Sequence, residues 1–334
     1  MRKFEIGAND ADQRLDKFAA KVTRGMPLSL LYKYIRKKRI KVNGRRCGPS
    51  DRLTLGDVVE MYVPDEFFTA GSAAREYSRS AVSLDVVWED QNVLLVNKRP
   101  GVLSHTGDER GAAPSGEAER TTLVFAVKAY LYEKGEYDPE SENSFSPALC
   151  NRIDRNTGGI VIAAKNAPTL RAVNAAIKQR KIKKYYLCAV HGIPEKREST
   201  ETAYLKKDEK TKKVAVFDYP TEGAKKIVTS YKVLKTDEKK GISLLEVELG
   251  TGRTHQIRAH LNHLGYPLVG EGKYGVNKED RRAGFRYQAL CSYKTVFESD
   301  SEELLYLRGR SFEIPADPVH IPFLSLFVRD EDGK

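Results

Sequence analysis

The chain has 334 residues, 40% of them apolar and 31% charged, a length for two domains and a composition that excludes wholesale disorder. No apolar run approaches the ~18 residues that cross a bilayer, and Cys47, Cys150, Cys188 and Cys291 lie too far apart for a zinc ribbon or a disulfide scaffold. The net charge of +11 resides in one segment, since residues 14–46 carry 12 Lys or Arg against a single acid, Asp16. That surplus suits a polyanion, most simply phosphates, through release of condensed counterions. A solvated basic face is the competing reading, but such faces usually mix both signs. Met1-Arg2-Lys3-Phe4-Glu5 has no apolar run behind its basic pair, so no secretory leader is expected and the chain reads as cytoplasmic.

In chain order, residues 14–22 predict a helix with Leu15, Phe18, Ala19 and Val22 inward. After Pro27, residues 28–39 predict a second, with Leu28, Leu31 and Ile35 on one face and Lys33, Arg36, Lys37 and Arg39 on others. Ile40-Lys41-Val42-Asn43-Gly44 reads as a strand entering an Asn-Gly turn, and residues 55–63 as a turn and strand. Residues 65–82, small and polar, read as a linker between a first domain (1–64) and a second (83–334). Residues 107–119 are loop-like and could order over a substrate.

Strand-like runs follow at 85–88, 93–97, 159–164, 184–190, 226–233 and 243–249, with helical candidates at 122–133, 167–178 and 254–264. Consecutive strands with few helices between them predict an α+β domain on a mixed or antiparallel sheet. A doubly wound nucleotide fold is disfavoured, and Gly250-Thr251-Gly252 lacks the rest of a phosphate cradle. His255, His260 and His263 surround Arg258 at spacings that do not form a metal face, so no metal is expected.

Three segments can carry chemistry. In Cys150-Asn151-Arg152-Ile153-Asp154-Arg155-Asn156-Thr157-Gly158-Gly159, an acid lies between two arginines at a tight turn beside a sheet. Flanking cations favour its ionised form, whereas a surface turn with local ion pairs is the plainer alternative. In residues 183–192, strand alternation sets Tyr186, Cys188 and Val190 on one face and Tyr185 and Leu187 on the other. In Gly252-Arg253-Thr254-His255-Gln256-Ile257-Arg258, Thr254 is placed to cap a helix whose apolar stripe is Ile257, Leu261 and Leu264. Arg258 lies about 60° from Leu261 and needs a carboxylate partner unless it snorkels to water.

Together, N-R-I-D-R-N-T-G-G, K-x-Y-x-C-A-V-H-G and G-R-T-H-Q-I-R-A-H-L-N-H-L-G-Y-P-L-V-G resemble the RluA-type pseudouridine synthases over residues 84–328. Residues 96–105 resemble that family's first motif, N-K-P-x-G-x-x-x-H, with Arg99 inserted before the proline. The pattern of residues 12–63 resembles the alpha-L RNA-binding domain of a small-subunit ribosomal protein. The resemblance implies a pseudouridine synthase-type catalytic domain behind a small N-terminal α/β RNA-binding domain. It implies Asp154 as nucleophile, Arg258 as its ion-pair partner, Tyr186 stacked on the target base and Arg152 filling the space of a flipped uridine. Ile257 and Leu103 are expected as pocket walls, and Lys33, Arg36, Lys37 and Arg39 as RNA contacts. Asn151 departs from the family, which more often has His there. No cofactor is implied. The expected substrate is large-subunit ribosomal RNA, with transfer RNA as runner-up, acted on by a monomer without a membrane partner. A catalytically silent RNA-binding or ribosome-assembly protein is the alternative class, and an RNA methyltransferase would need a glycine-rich cofactor loop that is not found.

Overall fold

The computed structural model describes residues 1–23, 25–68, 77, 80–106, 119–208, 213–275 and 278–328. Residues 107–118 of the expected loop, and 69–76 and 78–79 of the expected linker, lie outside them.

The first domain contains β1 (Arg2–Glu5), α1 (Leu15–Val22), α2 (Leu28–Arg36), β2 (Ile40–Val42), β3 (Arg45–Arg46) and β4 (Val58–Met61). Its antiparallel sheet runs β1-β4-β2-β3. Leu15, Phe18 and Ala19 of α1 and Leu31 and Ile35 of α2 are buried with Ile40, Val59 and Met61, so the helical periodicity meets the strand alternation in one core. Asn43 and Gly44 both take positive φ, 50° and 70°, as a two-residue hairpin turn between β2 and β3 requires. The second helix stops three residues before its expected end because Lys38 enters the left-handed region at φ 59°. The backbone N–H of Arg39 then returns to the carbonyl of Tyr34. Asp65–Phe68 forms a short 3-10 turn whose Phe68 joins this first core, whereas Tyr77 packs on Phe125, Tyr132 and Tyr137 of the second domain.

The second domain contains β5 (Val86–Glu89), β6 (Val93–Lys98), α3 (Leu123–Glu133), β7 (Ala148–Leu149), β8 (Gly158–Ala164) and α4 (Ala167–Lys178). It continues with β9 (Ile182–His191), β10 (Glu198–Lys207), β11 (Val214–Phe217), β12 (Lys225–Asp237), β13 (Ile242–Leu249), α5 (Gln256–His263), α6 (Lys278–Arg282), β14 (Leu290–Phe297) and β15 (Ser311–Glu313). Its sheet runs β11-β10-β12-β13-β9-β14-β8-β6-β5, with β15 on β14 and β7 on β8. Among the named strands of the described residues, only β14 and β8 pair in parallel, so the sheet is mixed and the domain α+β.

Central position explains composition. Every residue of β8 is buried, consistent with its run of Gly, Ile, Val and Ala. On β9, Tyr186, Cys188 and Val190 face one core, with α3, Ile257 and Leu261; Leu187 faces the other, with Val173 and Ala176 of α4. The two expected helices at 122–133 and 167–178 form where their caps dictate: Thr122 Oγ1 accepts from Phe125 N–H, and Asn166 Oδ1 from Thr169 N–H. Gly159 is the tightest point of the sheet. Its φ is 121°, and a Cβ there would sit 2.4 Å from the carbonyl oxygen of Ser292 on β14.

The two domains meet along a polar seam. Asn9 donates to Glu142 (2.7 Å) and accepts from the N–H of Ala167 at the start of α4 (2.9 Å). Asp10 accepts from Asn143 (2.9 Å) and Ser144 (2.5 Å), and Gln13 donates to Ser144 (2.8 Å). No helix among the described residues is long and apolar enough to cross a membrane.

Candidate active site

The loop that follows β7 is pinned at both ends before it presents Asp154. At its start, Cys150 N–H reaches the carbonyl of Ile162, and Asn151 Oδ1 accepts from Ile162 N–H (2.8 Å), so Asn151 finishes a sheet edge. At its end, Thr157 N–H returns to the carbonyl of Asp154 (3.0 Å), and Gln288 donates to the hydroxyl of Thr157 (3.1 Å). From beneath, the fully buried Lys98 of β6 donates its three N–H groups to the carbonyls of Val102 (2.8 Å), Arg155 (2.8 Å) and Arg99 (3.2 Å). A buried ammonium is costly unless its donors are used. This one ties the Asn-Lys-Arg-Pro-Gly segment to the loop that holds Asp154.

Arg258 enters from α5. Its Nε and Nη2 donate to the two oxygens of Glu271 (2.7 and 2.8 Å), and its Nη1 donates to Asp154 Oδ2 (2.9 Å). Glu271 is completely buried and also accepts the N–H of Lys273 (2.7 Å). Burial disfavours the charges of both residues, but their mutual fork outweighs it: Arg258 is held above, and Glu271 below, its ordinary pKa. The forked pair fixes the guanidinium plane and leaves the Nη1 edge for Asp154. Tyr274 lies beneath the guanidinium, its ring centre 5.6 Å away.

Asp154 opens on a cleft of about 300 Å³ lined also by Arg152, Lys184, Tyr186, Ile257 and Leu290. Among the described residues it is the sole acid on that wall. Tyr186 projects from β9 with its side chain buried, and burial pushes its hydroxyl up to about 12, so the ring is a neutral platform. His255 precedes α5, with Nδ1 2.6 Å from the Tyr274 hydroxyl and Nε2 3.8 Å from Asp154 Oδ2.

Lys33, Arg36, Lys37 and Arg39 are exposed on the first domain, on α2 and just past its end. The one acid of that segment does not soften the charge outside. Asp16 is buried, taking a two-pronged contact from Arg14 (3.1 and 2.7 Å) and a bond from the Tyr32 hydroxyl (3.1 Å).

A family model described as RNA pseudouridylate synthase matches residues 92–263, and the S4 domain model matches residues 13–59. The chain is 31% identical to an uncharacterized RNA pseudouridine synthase of Mycoplasma capricolum subsp. capricolum, covering 93% of this chain and 96% of that one. The chain belongs to the RNA pseudouridine synthase family. It is also 31% identical to the ribosomal large subunit pseudouridine synthase C of Buchnera aphidicola subsp. Baizongia pistaciae, covering 83% of this chain and 82% of that one. The fold of human RNA pseudouridylate synthase domain containing 4 is similar, with a TM-score of 0.55 at 16% identity over 75% of this chain and 94% of the other. That of human RNA pseudouridylate synthase domain containing 1 gives 0.53 at 19% identity over 75% and 87%. The synthase is thus of the type its motifs resemble, with the alpha-L pattern corresponding to the S4 domain.

The synthase brings Asp154, Arg152, Tyr186, Ile257 and Arg258 to one cleft. Two expectations need correction. Leu103 does not line the cleft; its backbone bridges to Thr122, and its carbonyl accepts from Leu123. Thr254 does not cap α5, which begins at Gln256 after His255 in the left-handed conformation (φ 54°) with no side-chain cap. The buried Gln256 organises that turn instead. Its Oε1 accepts from Thr251 Oγ1 and Arg253 N–H, while its Nε2 donates to Val228 O and Thr229 Oγ1. Sequence reasoning missed Glu271, Tyr274, His255 and Lys98 as site residues. One signal for Glu271 was present: an arginine beside a buried stripe can present three edges, and Asp154 occupies only one.

Proposed function

We propose that this enzyme converts specific uridines of large-subunit ribosomal RNA to pseudouridine, with Asp154 as nucleophile. The observation that carries the reading is the 2.9 Å ion pair between Arg258 and Asp154, at a cleft backed by the neutral ring of Tyr186. The reaction breaks N1–C1′, turns the uracil and forms C5–C1′; one proton leaves C5 and one is taken up at N1. It is redox-neutral and needs no cofactor. Positive charge that develops at C1′ as the base departs calls for an ionised carboxylate nearby, which Asp154 supplies and Arg258 keeps in place. Tyr186 stacks on the detached uracil and Ile257 walls the pocket, so that the base turns without leaving.

Reaching the target uridine requires extruding it from its stack, at a cost of a few kcal/mol. Arg152, exposed at the cleft, fills the vacated space. Lys33, Arg36, Lys37 and Arg39 hold phosphates of the surrounding RNA and help to offset that cost. Three Buchnera relatives carrying the large-subunit name support ribosomal RNA as the substrate, and such a substrate places a monomeric enzyme in the cytoplasm. The test maps pseudouridines in ribosomal and transfer RNA from cells lacking the gene, complemented with the wild type or with Asp154→Ala. Pseudouridine is expected to vanish from large-subunit RNA and to return only with the wild type. Loss confined to transfer RNA would overturn the substrate, and full restoration by Asp154→Ala would overturn the nucleophile.

A further inference from the structure

Arg258 does not approach Asp154 alone. The imidazole of His255 also approaches the same carboxylate oxygen, Oδ2, with Nε2 at 3.8 Å. Behind it, the Tyr274 hydroxyl lies 2.6 Å from Nδ1 and also receives the N–H of Val214 (3.3 Å). The carboxylate beside Nε2 can only accept, which favours a neutral ring that donates from Nε2 and takes the Tyr274 hydrogen at Nδ1. Nδ1 then carries no hydrogen, so the neutral ring bears its N–H at Nε2, facing Asp154. The ring is held there by an uncommon backbone: His255 is one of five non-glycine residues with positive φ among the described residues, and Gln256 ties the turn beside it.

We propose that Tyr274 and His255 form a positioning relay which, together with Arg258, holds Oδ2 of Asp154 and leaves Oδ1 for the ribose. The inference rests on Asp154 being the nucleophile. At 3.8 Å the His255 contact is longer than a hydrogen bond, and contacts of this kind tighten once substrate excludes water. The imidazole faces Asp154, Arg258, Glu271, Lys273 and Tyr274. Burial is the largest influence on it and brings its pKa down to about 4, so the ring is neutral at physiological pH. Neutrality matters. A doubly protonated ring would bind Oδ2 as a second full cation and draw charge from the nucleophile.

The experiment follows tritium release from C5-labelled uridine in an in vitro transcript of large-subunit ribosomal RNA, using the full-length protein. For His255→Ala we expect kcat to fall on the order of 10–100-fold, as misplacement of a reacting group produces, with KM and RNA affinity unchanged. His255→Gln, whose amide nitrogen can occupy the place of Nε2, is expected to recover most of that loss. Tyr274→Phe keeps the ring under Arg258 and removes only the hydroxyl. Without the bond that favours the unprotonated Nδ1, the acid limb of its kcat profile moves to higher pH. An unimpaired kcat in His255→Ala beside an inactive Asp154→Ala overturns the relay alone, as does an unshifted acid limb in Tyr274→Phe. An active Asp154→Ala overturns the nucleophile itself, and the relay with it.

Discussion

Arg258 stands between two carboxylates, and the two have different duties. Glu271 is sealed from water and takes two of the three guanidinium edges used; Asp154 takes the third and faces the cleft. Removing the charge of a buried partner strands the other, at a cost of about 3–5 kcal/mol. Glu271→Gln is therefore expected to lower the unfolding free energy by roughly 3 kcal/mol and to reduce kcat more than RNA affinity, as urea titration and single-turnover assays would measure. A variant with unaltered stability would show that the fork adds nothing to the fold. That Arg258 needs a carboxylate was legible from helical phase, which sets it beside a buried stripe; that the carboxylate is Asp154 came only from the family resemblance of the motifs. Glu271 was not legible. Glu271-Gly272-Lys273 has no period to place it, and only the path of the chain after α5 brings it under the guanidinium. His255 was hidden for another reason: left-handed backbone in a non-glycine residue leaves no mark in composition.

At the scale of elements, the Asp154 loop runs into β8 where that strand pairs with β14 at Gly158 and Gly159. A Cβ at Gly159 would meet Ser292 backbone at 2.4 Å, and the positive φ adds strain for any L side chain. Gly159→Ala is expected to cost more than about 1–3 kcal/mol, read as a lowered Tm, and to impair activity further by moving the loop. Wild-type melting would show that the two strands can spread freely. The other end of β8 is fastened by charge. Glu89 of β5 accepts from Lys134 and Tyr130 near the end of α3 and from Lys165 just after β8. Burial opposes its charge, but Lys134, Lys165 and Tyr130 outweigh it and bring its pKa from the ordinary 4.5 down to about 2. A lowered carboxylate pKa adds stability that is complete above 4.5 and lost as pH falls toward 2. The urea midpoint should decline across that window, and Glu89→Gln should flatten the decline; an equal slope in the variant would assign the acid sensitivity elsewhere. The strands that escaped sequence reading have a common cause. Only Ala203 and Leu205 of β10 are buried, so its alternation is polar against polar, while β14 mixes small, charged and aromatic residues without a clear turn ahead of it. By contrast, α4 was legible to the residue, because Asn166 caps it and its small apolar face repeats at helical spacing.

At the scale of the whole molecule, charge and chemistry are divided between the domains. The basic surplus of residues 14–46 belongs to the first, and its one acid, Asp16, is buried. Replacing Lys33, Arg36, Lys37 and Arg39 together by Gln should leave the fold intact, since all four are exposed. The log–log salt slope of RNA binding should fall by about 0.7–0.9 for each phosphate that is no longer neutralised, with turnover at saturating RNA preserved. A filter-binding series across salt concentrations measures it, and an unchanged slope would show that these residues do not touch the RNA.

The seam between the domains has a mechanical consequence. Asn9, Asp10 and Gln13 meet Glu142, Asn143, Ser144 and the first N–H of α4 through hydrogen bonds, and Asp12 meets Arg171 of α4 as an exposed ion pair. Water can take the place of each partner at little net expense, unlike a greasy joint, whose parting would leave adhesive surface exposed. A joint of this kind can part and close again with neither piece becoming sticky in the interval. For an RNA pseudouridine synthase, such a joint serves as a clasp.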